Sequence, residues 1–579
     1  MNETETTPAS QRGFWALIVT QFQGAFSDNT LQWLTTYLVM QVVVSTDQRD
    51  HLISVVGALF AVPFILFSMT GGFLADRFSK RRVVCGVKMF EIFVMSLVLF
   101  SLVTRHLYLT IFCVVLMGLH GAIFGPSKYG LLPELLPEKK LSWGNGVLEL
   151  GTYIAIICAT VAGGYMCKAF SSQPGWSGVI LIALAFAGLA TGWQITKVPA
   201  AAPAKPLRLN FVADLWTHIK IMHRDRPLWL ALIGYSYFCG IAVLIRYVIV
   251  IYAKDVMGIN DPFQTSHLLA ATVIGIGIGC FLAGYLSRGK IETGLIPLGA
   301  IGLTICAALL GRKGISFSSV ALNLSALGFF GGFYIVPISA ILQYRPASDQ
   351  KGGVLAAANL ISWIGIIAAS AAFSLLTTVF KLSPREIFVV IACLTLSASV
   401  YLLTLMPDAL LRLVLWLVTS TLYRIRILGR DNVPEKGGAL FVCNHLSFAD
   451  ALLLIASTDR PVRFLMHKDM YEKRWIKPFA KILHVIPVSS DQRPRELIHS
   501  LQAASDAIRA GEVVCIFAEG QITRIGQLLE FRRGFERIMK NVDAPIIPVA
   551  LDGVLGSPTS FAHGRMVRRF PRRLPHPVT

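Results

Sequence analysis

Charge is scarce in this chain. Only 15% of its 579 residues are Asp, Glu, Lys or Arg, while 54% are hydrophobic; water-soluble domains carry about a quarter charged residues. A wholly soluble protein is excluded. Acidic residues are the scarcest, 33 against 53 Lys and Arg, for a net charge of +20. Nucleic acid and anionic lipid headgroups both suit that sign, and the hydropathy selects anionic membrane lipids, with no nucleic acid expected. Paired cysteines are also lacking. Most of the ten, Cys85, Cys113, Cys158, Cys280, Cys306 and Cys393 among them, stand singly in apolar runs. A disulfide framework and a CxxC metal pair are thereby excluded, and no metal is expected. Nor does a small-residue cleavage site follow Arg12, so the first apolar stretch reads as retained and not as a removable signal peptide.

Long apolar runs fill the first two thirds. Twelve are centred near residues 27, 63, 93, 116, 156, 185, 240, 276, 301, 328, 366 and 396, each long enough to cross ~30 Å of hydrocarbon as a helix. Residues 1–408 therefore read as twelve transmembrane helices. The connections after spans 2, 4, 6, 8 and 10 hold most of the Lys and Arg, including Lys128 and Lys139 after span 4. By the positive-inside rule both termini face the cytoplasm. The longest connection, Lys197 to Arg226, is basic and rich in Pro and Ala, and it divides the spans into two bundles of six.

The loop after span 2 reads Gly72-Phe73-Leu74-Ala75-Asp76-Arg77-Phe78-Ser79-Lys80-Arg81, and a fainter copy, Gly284-Tyr285-Leu286-Ser287-Arg288-Gly289-Lys290, follows span 8. This pattern resembles the loop motif of the major facilitator superfamily, although Ser79 replaces the usual second Gly. The resemblance implies the two-bundle transporter fold and a gating role for Gly72, Asp76, Arg77 and Arg81. Charges within spans add a second signal, because an ionisable group at mid-membrane costs at least ~2.5 kcal/mol and faces a cavity or a partner. Asp28 and Asn29 in span 1, Glu149 in span 5 and Arg246 in span 7 mark a transport pathway, or else Arg246 pairs with Asp28 or Glu149 to hold the bundles together. Glu91 and His120 read as structural.

After Met406 the apolar runs shorten to strand length. From residue 409 onward 25 Lys and Arg face 15 Asp and Glu. Residues 409–430 read as an interfacial linker helix, with a thirteenth span as the competing reading, and residues 431–579 as a cytoplasmic α/β domain. Its chemistry concentrates in Ala439-Leu440-Phe441-Val442-Cys443-Asn444-His445-Leu446-Ser447-Phe448-Ala449-Asp450. Five apolar residues predict a buried strand, and Ser447 to Asp450 resembles a capping box opening a helix over 451–457. His445 then sits in the bend, where the Asp450 carboxylate reaches back to one ring nitrogen and leaves the other basic, suited to taking a proton from an alcohol.

That His-x4-Asp spacing resembles the signature of glycerolipid acyltransferases. Val485-Ile486-Pro487-Val488, Val513 to Gly520 and Ala544 to Ala550 stand in the order of that family's later blocks. By the resemblance, Asn444, Glu519, Gly520 and Pro548 bind substrate. Two departures stand out: Ile522 occupies the place of an expected Arg, leaving Arg524 as its substitute, and the Arg that usually closes the second block is missing, leaving Arg493. Glu519 has an alternative as ion-pair partner of Arg532 or Arg533. No nucleophile elbow is visible, so direct transfer from acyl-ACP or acyl-CoA as co-substrate is expected, without a bound cofactor.

The whole chain resembles bacterial lysophospholipid transporters of the inner membrane fused to a 2-acylglycerophosphoethanolamine acyltransferase. The implied function is inward flipping of lysophospholipid and its re-acylation, with acyl carrier protein and an acyl-ACP synthetase as partners; no adenylate-forming motif of such a synthetase occurs here. Sodium and the proton both remain open as coupling ion. The alternatives are a transporter of another solute with a merely co-localised enzyme, and a lysophosphatidate acyltransferase on a non-transporting scaffold.

Overall fold

The computed structural model describes residues 8–42, 46–206, 211–259, 262–287, 289–434, 436–458, 460–488, 494–555, 557, 559–562, 565–566 and 575–579. It divides into two compact units, Met1–Leu402 and Leu403–Thr579. Arg493 and Arg288 lie outside the described residues.

Among its described residues the first unit is built of helices: α1 (Pro8–Val42), α2 (Thr46–Arg77), α3 (Lys80–Val103), α4 (Leu107–Leu135), α5 (Glu138–Ala169), α6 (Gly175–Gln194), α7 (Phe211–Arg224), α8 (Arg226–Asp255), α9 (Pro262–Leu286), α10 (Leu295–Leu310), α11 (Phe317–Tyr344), α12 (Lys351–Ser374) and α13 (Pro384–Leu405). Every apolar run found in the sequence falls within one of these helices, and α7 is the addition. Ten of them are long and apolar enough to cross a membrane. The other two of the twelve are α1, diluted by Gln21, Gln23, Ser27, Asp28 and Asn29, and α10, which has only 16 residues. Lys128, assigned from the sequence to a loop, lies inside α4 and is buried; the connection there is a two-residue break between Leu135 and Glu138.

The bundle α1–α6 meets the bundle α8–α13 reciprocally. The second helix of the first half, α2, packs on the fifth of the second half, α12, and the fifth of the first half, α5, packs on the second of the second half, α9. Such an exchange is what repeated halves related by a two-fold axis produce. Close approach at these seams depends on glycine: a β-carbon on Gly72 would lie 2.6 Å from the Ala356 Cβ and 2.7 Å from the Gly352 carbonyl oxygen.

The second unit begins with α14 (Pro407–Leu422). The linker expected to be helical over 409–430 is shorter than that, because Tyr423–Ile425 leaves the helix to form β1. There follow β2 (Ala439–Cys443), α15 (Asp450–Ser457), β3 (Val462–His467), α16 (Lys468–Tyr471), α17 (Lys477–Ile482), β4 (Ile486–Val488), α18 (Pro494–Arg509), β5 (Val513–Phe517), α19 (Gly534–Met539), β6 (Ile546–Val549), β7 (Phe561–Ala562), β8 (Arg565–Met566) and β9 (His576–Val578). Five strands form a parallel sheet in the order β4-β3-β5-β2-β6. Alternation along the strands builds two apolar layers, as a period of two requires. Ala439, Phe441, Cys443, Val513 and Cys515 face Leu453, Leu454 and Ala480. Leu440 and Val514 face Leu501, Ala504, Ala507 and Ile508 of α18 on the other side. Pro548 sits on the edge strand β6 opposite Val442, where a residue without an N–H is tolerated.

Candidate functional site

In a parallel sheet the crevice beyond the carboxyl ends of the strands is where functional groups collect, and this sheet places its polar residues there. β2 and β5 are adjacent, with Cys443 opposite Phe517, so the segments that follow them emerge side by side. His445 lies two residues past β2, and Glu519 two residues past β5.

The bend after β2 is tied by one carboxylate. Asp450, the first residue of α15, is fully buried. Its Oδ2 accepts from His445 Nδ1 at 2.8 Å, from the Leu446 N–H at 2.6 Å and from the Ser447 N–H at 2.9 Å, and its Oδ1 accepts from the Ser447 hydroxyl at 2.9 Å. A buried carboxylate so surrounded has its desolvation offset by charge-assisted hydrogen bonds. The expected capping box appears in altered form: the Ser447 Oγ accepts from the Ala449 N–H at 3.0 Å, and the helix starts one residue earlier than the sequence predicts. With Nδ1–H donating to Asp450, the tautomer leaves Nε2 bare as a base. The ring stacks on Phe517, with centroids 4.1 Å apart and planes 16° apart, and its side chain keeps 20% of its surface exposed. The base is held on one side and open on the other.

Asn444 and Glu519 belong to the frame of this site. The Asn444 amide donates to the Leu551 carbonyl at 3.0 Å and accepts from the Leu551 N–H at 2.8 Å, fastening the bend to the segment after β6. Glu519, 2% exposed, accepts from the His445 N–H at 2.9 Å through Oε1 and from the Leu529 N–H at 3.1 Å through Oε2. The ion pair with Arg532 or Arg533, the alternative for Glu519, is not formed; the main chain occupies both oxygens. Gly520 adopts φ +69°, a left-handed conformation that favours glycine. The Thr523 N–H closes the loop by donating to the His445 carbonyl at 2.9 Å. Arg524 is exposed on the same loop.

The two cysteines on β2 and β5 below the site, Cys443 and Cys515, are both buried. Burial, then the charges of Asp450 and Glu519, push the Cys443 thiol up, and burial first of all does the same to Cys515. Neither offers a thiolate near neutral pH.

In the helical unit, Asp76 is fully buried and bridges the two bundles. Its carboxylate accepts from the Gly352 N–H at 2.7 Å, from the Gly353 N–H at 3.1 Å and from Lys205 Nζ at 2.7 Å. Arg77 lies over the rings of Phe73 and Phe78, and Arg81 donates to the Trp193 carbonyl. A second latch, not anticipated from the sequence, joins α5 to α11: Asn145 and Gln343 exchange amide hydrogen bonds of 2.9 and 2.7 Å, both buried. Near it, Tyr129, Tyr235, Gln343 and Asn359 line a small cavity between the bundles.

Among the expected pathway residues, Glu149 accepts from the Tyr129 hydroxyl at 2.9 Å, and Asn29 donates to the Ala25 carbonyl. Asp28 Oδ1 is buried without a hydrogen-bond partner among the described residues. Arg246 is exposed and makes no ion pair with Asp28 or Glu149, so that structural pairing is corrected. Glu91 and His120, read from the sequence as structural, join Lys88 and Gln23, which that reading did not connect to them, in a buried network of the first bundle. Lys88 Nζ donates to Gln23 Oε1 and Glu91 Oε2, both at 2.7 Å, Gln23 Nε2 donates to Glu91 Oε1 at 2.8 Å, and His120 Nε2 lies 3.2 Å from Glu91. Lys88 and Glu91, three residues apart in an otherwise apolar run, were the available signal.

Two six-helix halves latched at one end, with a His–Asp pair at the head of a parallel sheet, define a multi-pass membrane transporter carrying an acyltransferase domain. Comparison with known proteins agrees: the Major Facilitator Superfamily matches residues 24–370, and the Acyltransferase family matches residues 424–552. The chain belongs to the Major Facilitator Superfamily. It is 30% identical over 361 residues to the lysophospholipid transporter LplT of Pectobacterium carotovorum, covering 61% of this chain and 84% of that one. It is 29% identical over 389 residues to LplT of Klebsiella pneumoniae, covering 66% and 93%. Among solved structures, the human organic anion transporter MFSD10 superposes with a TM-score of 0.58 at 14% identity, over 68% of this chain and all of that one. The transporter FucP in its outward conformation gives 0.56 at 12% identity, over 68% and 98%. These last two likenesses concern the fold.

Proposed function

We propose that the helical unit moves lysophospholipid inward across a bacterial inner membrane and that the second unit, on the cytoplasmic side, re-esterifies it. The observation that carries the enzymatic half is the His445–Asp450 pair. His445 Nε2 takes the proton of the free glycerol hydroxyl as the oxygen attacks the thioester carbonyl of acyl-ACP or acyl-CoA. Asp450 stabilises the imidazolium that forms, and the proton then passes to the departing thiolate. Glu519 and Asn444 keep the bend in place, Gly520 shapes the loop beside it, and Arg524 and Arg493 stand as phosphate contacts. Pro548 closes the edge of the sheet.

Several features support the transport half: the similarity to lysophospholipid transporters, the Asp76 latch, and the polar groups of Asp28, Asn29, Glu149 and Arg246 along spanning helices. The excess of Lys and Arg in alternate loops supports a cytoplasmic placement of both termini. A lysolipid suits both units, having one charged headgroup, one tail and one hydroxyl to acylate. Acyl carrier protein and an acyl-ACP synthetase are the partners this reading implies, and sodium or the proton the coupling ion.

The test is uptake of labelled lysophospholipid into vesicles holding the full chain and an acyl donor, with and without sodium or proton gradients, followed by lipid analysis. His445→Ala is expected to preserve uptake and to reduce the two-tailed product by at least about 100-fold. Two-tailed lipid formed at the wild-type rate by the purified variant would overturn the assignment.

A further inference from the structure

The acceptor's phosphate needs a cation, and the position where the acyltransferase resemblance expects one is Ile522. The folded loop brings a different guanidinium to the site. A β-carbon placed on Gly520 would lie 2.8 Å from Arg532 Nε, 3.0 Å from its Cδ and 3.1 Å from its Cζ. The side chain of Arg532 therefore rests on the bare α-carbon of Gly520, the residue next to Glu519. Its main chain is fixed there as well, since the Arg532 N–H donates to the Ala518 carbonyl at 2.9 Å.

Two further features make this cation available. Arg532 is exposed, so an incoming headgroup can reach it. The neighbouring acid forms no ion pair with it: the Glu519 oxygens accept from the main chain of His445 and Leu529. The same glutamate thus fixes the catalytic bend and leaves the arginine free of an ion pair among the described residues. A planar guanidinium presents two parallel N–H donors that match a phosphate.

We propose that Arg532, seated on Gly520, binds the phosphate of the acceptor lysophospholipid and so selects phosphorylated over neutral acceptors. The proposal rests on the acyltransferase reading of the second unit. Gly520 is required twice over, for its positive φ and because any side chain would displace the guanidinium.

Steady-state kinetics of the full chain with acyl-CoA test it, using lysophosphatidylethanolamine and, in parallel, monoacylglycerol, which has no phosphate. Arg532→Gln is expected to raise KM for the lysophospholipid about tenfold or more, with kcat within about threefold. Its kinetics with monoacylglycerol should be unchanged, and Arg532→Lys should recover part of the loss, because a point charge replaces the fork only incompletely. An unchanged KM for the lysophospholipid overturns the proposal. So does an equal loss with both acceptors, which would assign Arg532 a structural role. A wild-type chain that acylates neither acceptor overturns the functional reading and removes this ligand with it.

Discussion

Four donors converge on the Asp450 carboxylate, so replacing it with asparagine changes more than charge. The amide nitrogen of Asp450→Asn must face at least one of the buried donors now bonded to Oδ1 or Oδ2. Each donor left unpaired costs about 1–3 kcal/mol, and the imidazole loses the partner that sets its tautomer. The expected outcome is a fall in kcat of at least about 100-fold together with a lower melting temperature; full activity with wild-type melting would show the carboxylate to be idle. Cys443 makes the converse case. Its thiol is pushed up by burial, so less thiolate is present at neutral pH than for an ordinary cysteine, and iodoacetamide is expected neither to label it promptly nor to inactivate the enzyme. Rapid labelling at Cys443 in a peptide map would contradict that. His445 and Asp450 were legible in the sequence because their contact is local, five residues across one bend. The roles of Glu519 and Arg532 were not, since the amides bound to Glu519 come from 74 residues before it and 10 after it, and Arg532 meets Gly520 only once the intervening loop has closed.

Elements were legible wherever one physical requirement dominated. Apolar length located the spanning helices, and an uninterrupted apolar pentad located β2, because a parallel strand covered on both faces has no polar side to show. Mixed requirements hid the rest. α7 lies inside a connection that reads as basic linker, and its buried positions, Asp214, His218 and Met222, are too few and too polar to form an apolar run. β1 and β9 are each three residues long, and neither means anything until they pair in parallel, Tyr423 with His576 and Ile425 with Val578. Beside that pairing, Asp552 and Thr579 exchange main-chain hydrogen bonds of 2.8 and 3.1 Å, so residues 575–579 help to hold the second unit together. Deleting them removes these bonds, each worth about 0.5–1.5 kcal/mol, and the burial of Val578. The truncated chain is expected to show a second unit more readily cut by protease and slower in acyl transfer, with lysolipid uptake retained. Proteolysis at the wild-type rate would show β9 to be dispensable.

For the whole molecule, the division into two units predicts two separable activities, and Asp76 is the residue with which to separate them. Its carboxylate satisfies two buried amides at the start of α12 and Lys205 from the connection between the halves. Under the transport reading proposed above, opening this end of the bundles separates α2 from α12 and breaks these contacts, so on that reading they favour the closed conformation. Asp76→Ala removes them all. Losing about 2.7 kcal/mol displaces a two-state equilibrium about 100-fold, and two unpaired buried donors at about 1–3 kcal/mol each suffice for that. Transport needs both states to be visited, so uptake by vesicles is expected to fall at least tenfold. Gln343→Ala, which breaks the buried amide pair with Asn145 on the other seam, is expected to weaken the same closed state by a smaller amount. Neither substitution touches the sheet or its bend. Acyl transfer to lysolipid supplied in detergent should therefore proceed at the wild-type rate in both variants, while His445→Ala shows the opposite pattern. Loss of both activities together in Asp76→Ala would mean that the enzyme depends on the conformation of the transporter, and the two units would then have to be treated as one machine.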